Sequence, residues 1–245
     1  MKYSLLLICL IALVANAASW SIGPSGLSGW QGLPSSDILE TGSLRVGLSA
    51  EFMDTDNGSI LRTPVKALWG VQEDFEIAAV VPIVPLDDAY EGSAIGDISF
   101  AAGWQYETTR GGNALKLTTR LNLPTGDEPR DTGSEIAVGG VTSTTLRDFR
   151  LSMSAEYALN GGSNPFNDDI NDIMYFVVGG SSFISSDMLV TASMSGSTGS
   201  VFKAVTSLQY VISESLAADG GFSIGLNEFE NFSVSAGIFW TGSGF

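Results

Sequence analysis

The sequence contains no histidine, one cysteine (Cys9), and only 11 lysines and arginines against 27 aspartates and glutamates. Without histidine, the commonest general base and the commonest metal ligand are both missing. The formal charge of -16 and the pI near 4.1 leave no basic stripe to neutralise phosphates, which excludes nucleic acid as a partner. Charge of either sign is sparse, at 16% of residues, whereas 44% are hydrophobic and the mean hydropathy is +0.22. An acidic disordered chain would be far poorer in apolar residues, so this one folds against something apolar. Long hydrophobic runs are also missing. Beyond the N-terminal stretch, nothing reaches the roughly 18 to 20 apolar residues of a membrane helix.

That N-terminal stretch has the layout of an address. Met1-Lys2-Tyr3-Ser4 is a short positive start, Leu5 to Val14 is apolar, and Ala15-Asn16-Ala17 precedes Ala18 as a small-residue cleavage pattern. Residues 1–17 therefore read as a secretory signal peptide, with Cys9 as filler inside it. Removal of this segment takes Lys2 and the cysteine with it, so the mature chain has no disulfide to hold it.

From Ser43 onward the apolar period is two. Leu44, Val46, Leu48, Ala50 and Phe52 hold one parity, and Arg45, Gly47, Ser49 and Glu51 the other. Leu115, Leu117, Leu121 and Leu123 oppose Lys116, Thr118, Arg120 and Asn122 in the same way. Twelve such segments are predicted, near 43–53, 61–71, 73–84, 96–107, 113–123, 134–143, 148–159, 172–184, 187–195, 201–212, 215–226 and 231–241. Those near 134, 187 and 215 are weaker, and ten strands is the alternative.

Alternation serves a soluble sandwich and a membrane barrel equally. Connection lengths separate them. Long, acid-rich connections alternate with tight ones such as Gln72, Ser185-Ser186 and Ser213-Glu214, as in outer-membrane barrels. Aromatic residues on the apolar parity fall at strand ends, where a lipid-facing band places them level with the headgroups. Phe52, Tyr157, Tyr175, Phe202 and Phe232 are expected near the long loops, and Trp69, Phe75, Trp104, Tyr106, Phe149, Phe183, Tyr210 and Trp240 near the short turns. The predicted fold is an all-β, closed antiparallel transmembrane β-barrel over residues 43–245, because hydrocarbon leaves no backbone group without a partner. Phe245 supplies an aromatic C-terminus, although on the parity opposite to Trp240.

The inward parity is expected to carry Arg45, Glu51, Arg62, Lys66, Asp74, Glu76, Asp97, Glu107, Lys116, Arg120, Glu135, Arg150, Glu156 and Lys203. Two readings stay open: a lumen filled by pairing side chains, or a narrow polar pore whose charges sort solutes. Residues 18–42 lack a strand period and contain Trp20, Trp30, Gly23-Pro24-Ser25-Gly26 and Leu33-Pro34-Ser35-Ser36. They read as a periplasmic lead-in or as a plug folded into the lumen, the lead-in being preferred because terminal segments are usually loosely held.

No cofactor and no metal is expected. Asp54-Thr55-Asp56-Asn57-Gly58 resembles the start of a calcium loop but has the wrong interval to its glycine and no closing glutamate. No phosphate-binding glycine loop or nucleophile elbow is present, and histidine-dependent hydrolysis is excluded, so the chain is not read as an enzyme. The partners expected are outer-membrane lipid and lipopolysaccharide, the barrel-assembly machinery and small solutes.

At Gly96-Asp97-Ile98, Leu121-Asn122-Leu123-Pro124-Thr125-Gly126-Asp127 and Gly133-Ser134 the sequence resembles the outer-membrane family labelled as a component of the meta pathway of phenol degradation. The resemblance implies a β-barrel associated with uptake of small, aromatic or hydrophobic molecules, and it brings no catalytic residues. Gly23-Pro24-Ser25-Gly26-Leu27, with Pro34 and Leu39-Glu40-Thr41-Gly42, resembles the start of some barrels linked to exopolysaccharide export.

Overall fold

In the computed structural model, the structure describes residues 26–30, 32–56, 58–88, 94–108, 113–126, 134–160, 172–198, 202–227 and 231–244. The signal segment, Phe245 and the acidic residues Glu91, Asp127, Glu128, Asp131, Asp168 and Asp169 lie outside this description. Twelve antiparallel strands close into a barrel: β1 Ser43–Thr55, β2 Val65–Gln72, β3 Phe75–Val81, β4 Ile98–Thr108, β5 Asn113–Leu123, β6 Glu135–Leu146, β7 Phe149–Asn160, β8 Ile173–Ser185, β9 Met188–Ser197, β10 Phe202–Ser213, β11 Leu216–Gly225 and β12 Phe232–Ser243. Each strand pairs with the next, and β12 closes on β1 from Phe232↔Asp54 to Ser243↔Ser43. No edge of the barrel is left to seek a partner in the bilayer.

The alternation read from the sequence is the alternation of faces. Along β1, Arg45, Gly47 and Ser49 are buried in the lumen while Val46 and Leu48 stand on the outer surface. Outward positions elsewhere include Leu117, Val138, Met153, Val178, Met194, Leu208, Val234 and Ile238, all more than a third exposed. So many large apolar side chains on one continuous outer face would be an untenable surface in water and are the required surface in lipid. Short turns at residues 73–74, 147–148, 186–187 and 214–215 mark one rim, and the longer connections mark the other. Both ends of the barrel, the start of β1 and the end of β12, lie on the short-turn rim, where the Gly42 N–H donates to the Gly70 carbonyl and the Gly244 N–H to the Gly42 carbonyl.

Proline interrupts the wall once on each side of the β2–β3 hairpin. Pro64 separates β2 from the segment Gly58–Arg62, which continues alongside β1 in unbroken register, Glu51↔Arg62 following Leu48↔Val65. Pro82 ends β3 before the short pairing of Ile83–Val84 with Ala94–Ile95. Lacking N–H groups, both residues drop out of the ladder, and the outer rim here is made of shorter, separately paired pieces.

Candidate functional site: a lumen divided into two compartments

The outer half of the lumen is a cavity of about 530 Å³. Glu51, Arg62, Lys66, Arg120, Glu156, Lys203 and Tyr175 line it, with serines 195, 223, 233 and 235 between them, and Gly32 and Pro34 meet it from below. Arg120 is held by two neighbouring strands: its Nη1 lies 2.7 Å from Glu135 Oε1, and its Nη2 lies 2.5 Å from Glu156 Oε1. Glu135 also accepts from Asn122 Nδ2 at 2.9 Å. Two carboxylates on one guanidinium leave the β5–β7 wall with one net negative charge. Across the barrel, Arg62 and Lys66 outnumber Glu51.

The inner half is filled by residues 26–42, position 31 excepted, which enter from the short-turn rim. Gly29–Trp30 pairs with Leu33–Pro34 as a miniature hairpin. Its turn passes through Gly32, whose φ of 70° suits a residue without Cβ, and any Cβ there would stand 2.7 Å from a Val205 methyl. Leu27 and Leu39 pack with Leu68, Ala78, Ala101 and Phe239, and Leu33 with Leu189, Val177 and Phe183. Gly70 is required at the rim, because a Cβ there would collide with the carbonyl oxygens of Leu39 and Glu40.

Polar groups of the wall hold this hairpin lobe. Glu76, fully buried, accepts from the Ser28 N–H at 3.0 Å, the Ser28 hydroxyl at 2.6 Å and the Leu39 N–H at 3.0 Å. Lys116 Nζ reaches Glu76 Oε1 at 3.1 Å and donates to the Ser28 and Asp37 carbonyls at 3.2 and 3.1 Å. The two residues are separated by β4, and Gly103 makes the crossing feasible: a Cβ there would stand 3.0 Å from Lys116 Cδ. Arg150 grips Asp37 with two bonds of 2.6 Å and reaches the Ser36 hydroxyl at 3.2 Å. Ser36 N–H donates to Ser143 Oγ at 3.3 Å, and Ser193 Oγ donates to the Gly32 carbonyl at 2.7 Å.

The residues expected in the lumen thus divide by depth. Glu51, Arg62, Lys66, Arg120, Glu135, Glu156 and Lys203 surround the outer cavity, whereas Glu76, Lys116 and Arg150 hold the hairpin lobe. Arg45 is buried near the short-turn rim with its Nε 2.9 Å from Thr241 Oγ1. The side chain of Glu107 lies outside the description.

Four placements differ from the sequence-based expectation. Asp74 sits in the β2–β3 turn, not on a strand, and its carboxylate accepts the indole N–H of outward-facing Trp104 at 2.6 Å. Asp97 precedes β4 and turns to the amides of Thr125 and Gly126, at 3.1 and 2.8 Å, instead of lining the lumen. Tyr175 faces the lumen, not the lipid girdle, because it is paired with inward-facing Glu156 and lines the cavity. On β8 both parities are apolar, with Ile173, Tyr175 and Val177 against Met174, Phe176 and Val178, so period alone cannot orient the strand. Phe183 turns inward for the same reason and packs toward Leu33.

The other girdle residues are outward. Phe52, Phe232 and Phe222 form one run, with centroids 6.2 and 6.4 Å apart, and Phe176 meets Phe202 at 5.5 Å. Trp69, Trp104, Tyr106, Tyr157, Tyr210 and Trp240 stand exposed on the outer face, Phe75 is paired beside Trp104, and the Phe149 ring covers Gly180. Asp37, Ser28 and Ser143 are functional residues that the period did not mark. The signal for Asp37 was indirect: an inward arginine on β7 needs an anion, and the strands around it offer serines.

Among solved structures, the COG4313 outer-membrane channel from Pseudomonas putida F1 superimposes with a TM-score of 0.68, covering 85% of this chain and 98% of that one at 12% identity. The fold is that of an outer-membrane barrel. The KdgM porin, solved in complex with disordered oligogalacturonate, is similar with a TM-score of 0.60 over 80% of this chain and 98% of its own, at 7% identity. Outer membrane phospholipase A from Escherichia coli follows with a TM-score of 0.50, covering 80% and 89% of the two chains at 11% identity. No protein-family model and no curated protein matches the sequence. Within this barrel, two of the three short motifs that carried the family resemblance touch one another, while Gly133 of the third lies outside the described residues. Asp97 of Gly96-Asp97-Ile98 caps the turn after Leu123-Pro124, and Thr125 Oγ1 accepts from the Ile98 N–H at 2.9 Å. They serve as a splint between β4 and β5 at the long-loop rim.

Proposed function

We propose that the protein is a passive outer-membrane channel for small solutes, which enter through the charged outer cavity. The observation that supports this reading is the cavity itself, about 530 Å³ with cations and carboxylates facing a shared space in place of a packed core. Charged walls at close quarters discriminate ions by sign. Two proteins of similar fold, an outer-membrane channel and a porin, agree with the reading, and the motif resemblance suggests small aromatic or hydrophobic solutes. A surface or structural barrel with a blocked lumen is the second reading, favoured by the hairpin lobe in the inner half. The likeness to a phospholipase does not favour catalysis here, since the chain has no histidine to serve a serine nucleophile.

Stable conductance steps from the folded barrel in planar bilayers are expected, and silence would favour the blocked barrel. Arg120→Glu would gather three carboxylates where two now share one guanidinium, so cation over anion permeability should rise several-fold. Lys66→Glu should shift selectivity in the same direction. Unchanged reversal potentials in both variants would remove these residues from the solute path.

A further inference from the structure

We propose that residues 26–42 are a displaceable stopper, seated from the periplasmic rim, and that solutes cross the inner half of the barrel only when it swings out. The inference rests on the channel reading above. Five observations support it. The stopper lends no strand to the barrel: its own two-stranded pairing is separate, and every barrel strand is hydrogen-bonded on both sides without it. Among the described residues it joins the barrel at Gly42, which has a φ of 75° and is tied to Gly70 and Gly244 at the rim.

The most deeply buried charges of the wall beneath it are paired with each other. Glu76 keeps Lys116 at 3.1 Å, and Ser143 Oγ lies 2.9 Å from Ser152 Oγ, so withdrawal strands neither buried charge alone. The ion pair that withdrawal does break, Arg150 with Asp37, is the solvent-reachable one, with side chains 14% and 27% exposed against 1% and 0% for Lys116 and Glu76. Its two hydrogen bonds run to an ionised carboxylate, the kind that water and salt replace most readily when the pair is exposed. The tip carries the Gly32 and Pro34 that meet the outer cavity, so the seated stopper closes that cavity from below.

A disulfide tests the movement. Ser36 and Ser143 are both buried and in contact, and Cys9 lies in the expected signal segment, so Ser36→Cys with Ser143→Cys adds the sole thiol pair of the mature chain. Conductance in planar bilayers should fall at least tenfold in the oxidised form, confirmed by thiol titration, and return on reduction. An oxidised form that conducts as well as the reduced one would overturn the stopper while leaving the channel reading intact. A second variant lacking residues 26–41 should conduct without closures. If that deletion conducts while the full chain is always silent, the seat is permanent and displacement is wrong. If both are silent although folded by circular dichroism, the channel reading itself fails, and the stopper with it.

Discussion

Val178→Arg should lower the stability of the barrel in lipid by about 2–4 kcal/mol, whereas the same change at Val177 should cost no more than about 1 kcal/mol. The two valines are consecutive on β8. Val178 is 41% exposed on the outer face, between Met153 of β7 and Met194 of β9, in the middle of the aliphatic band. An arginine there must carry its guanidinium through hydrocarbon to the headgroups, and the penalty is largest near the midplane. Val177 lines the outer cavity beside Ser154 and Ser195. An arginine at that position has Glu156 one inward position away and gives up only part of a contact with the Leu33 cluster. Urea unfolding of both variants in phospholipid vesicles measures the difference. Equal penalties would mean that the two faces of β8 see the same environment, which is incompatible with lipid on one side alone.

Glu76→Ala should release the N-terminal lobe more than it weakens the barrel. The substitution leaves the Lys116 ammonium without its carboxylate and the N–H groups of Ser28 and Leu39 without acceptors. Breaking one partner of a buried pair costs about 3–5 kcal/mol when the surviving charge has no way out. Here there is a way out: the lobe leaves the lumen, water enters, and the loss is capped at the free energy that seats it. Amide exchange at residues 27, 28 and 39 should therefore accelerate by orders of magnitude, while the unfolding midpoint of the strands moves little. The double variant Glu76→Leu with Lys116→Met should regain the part of the protection lost to the stranded ammonium, because it removes both charges together, while the Ser28 and Leu39 N–H groups still lack their acceptor. Loss of barrel stability equal to the loss of lobe protection would show that strands and lobe unfold as one unit.

How much of this was legible beforehand depended on how each strand divides its faces. On β1 and β5 one parity is apolar and the other polar, so the side facing the lumen could be read directly, down to Lys116 and Arg120. On β8 both parities are apolar, and only pairing with Glu156 turned Tyr175 inward. Asp74 and Asp97 sit one residue outside a strand, where alternation no longer determines direction and a nearby donor does: the Trp104 indole for one, the Thr125 and Gly126 amides for the other.

The strand period, the rim bearing the short turns and the closure of the sheet follow from sequence alone, because a bilayer imposes a period of two and forbids an open edge over every stretch it covers, whereas the choice of twelve strands over ten came from the pairing. The occupant of the inner lumen does not. Residues 26–42 have no period, and what draws them inside is a set of side chains from β3, β5, β6, β7 and β9 that come together only once twelve strands have closed. A local pattern can record which solvent each face meets. It cannot record which distant groups that closure will leave in need of a partner.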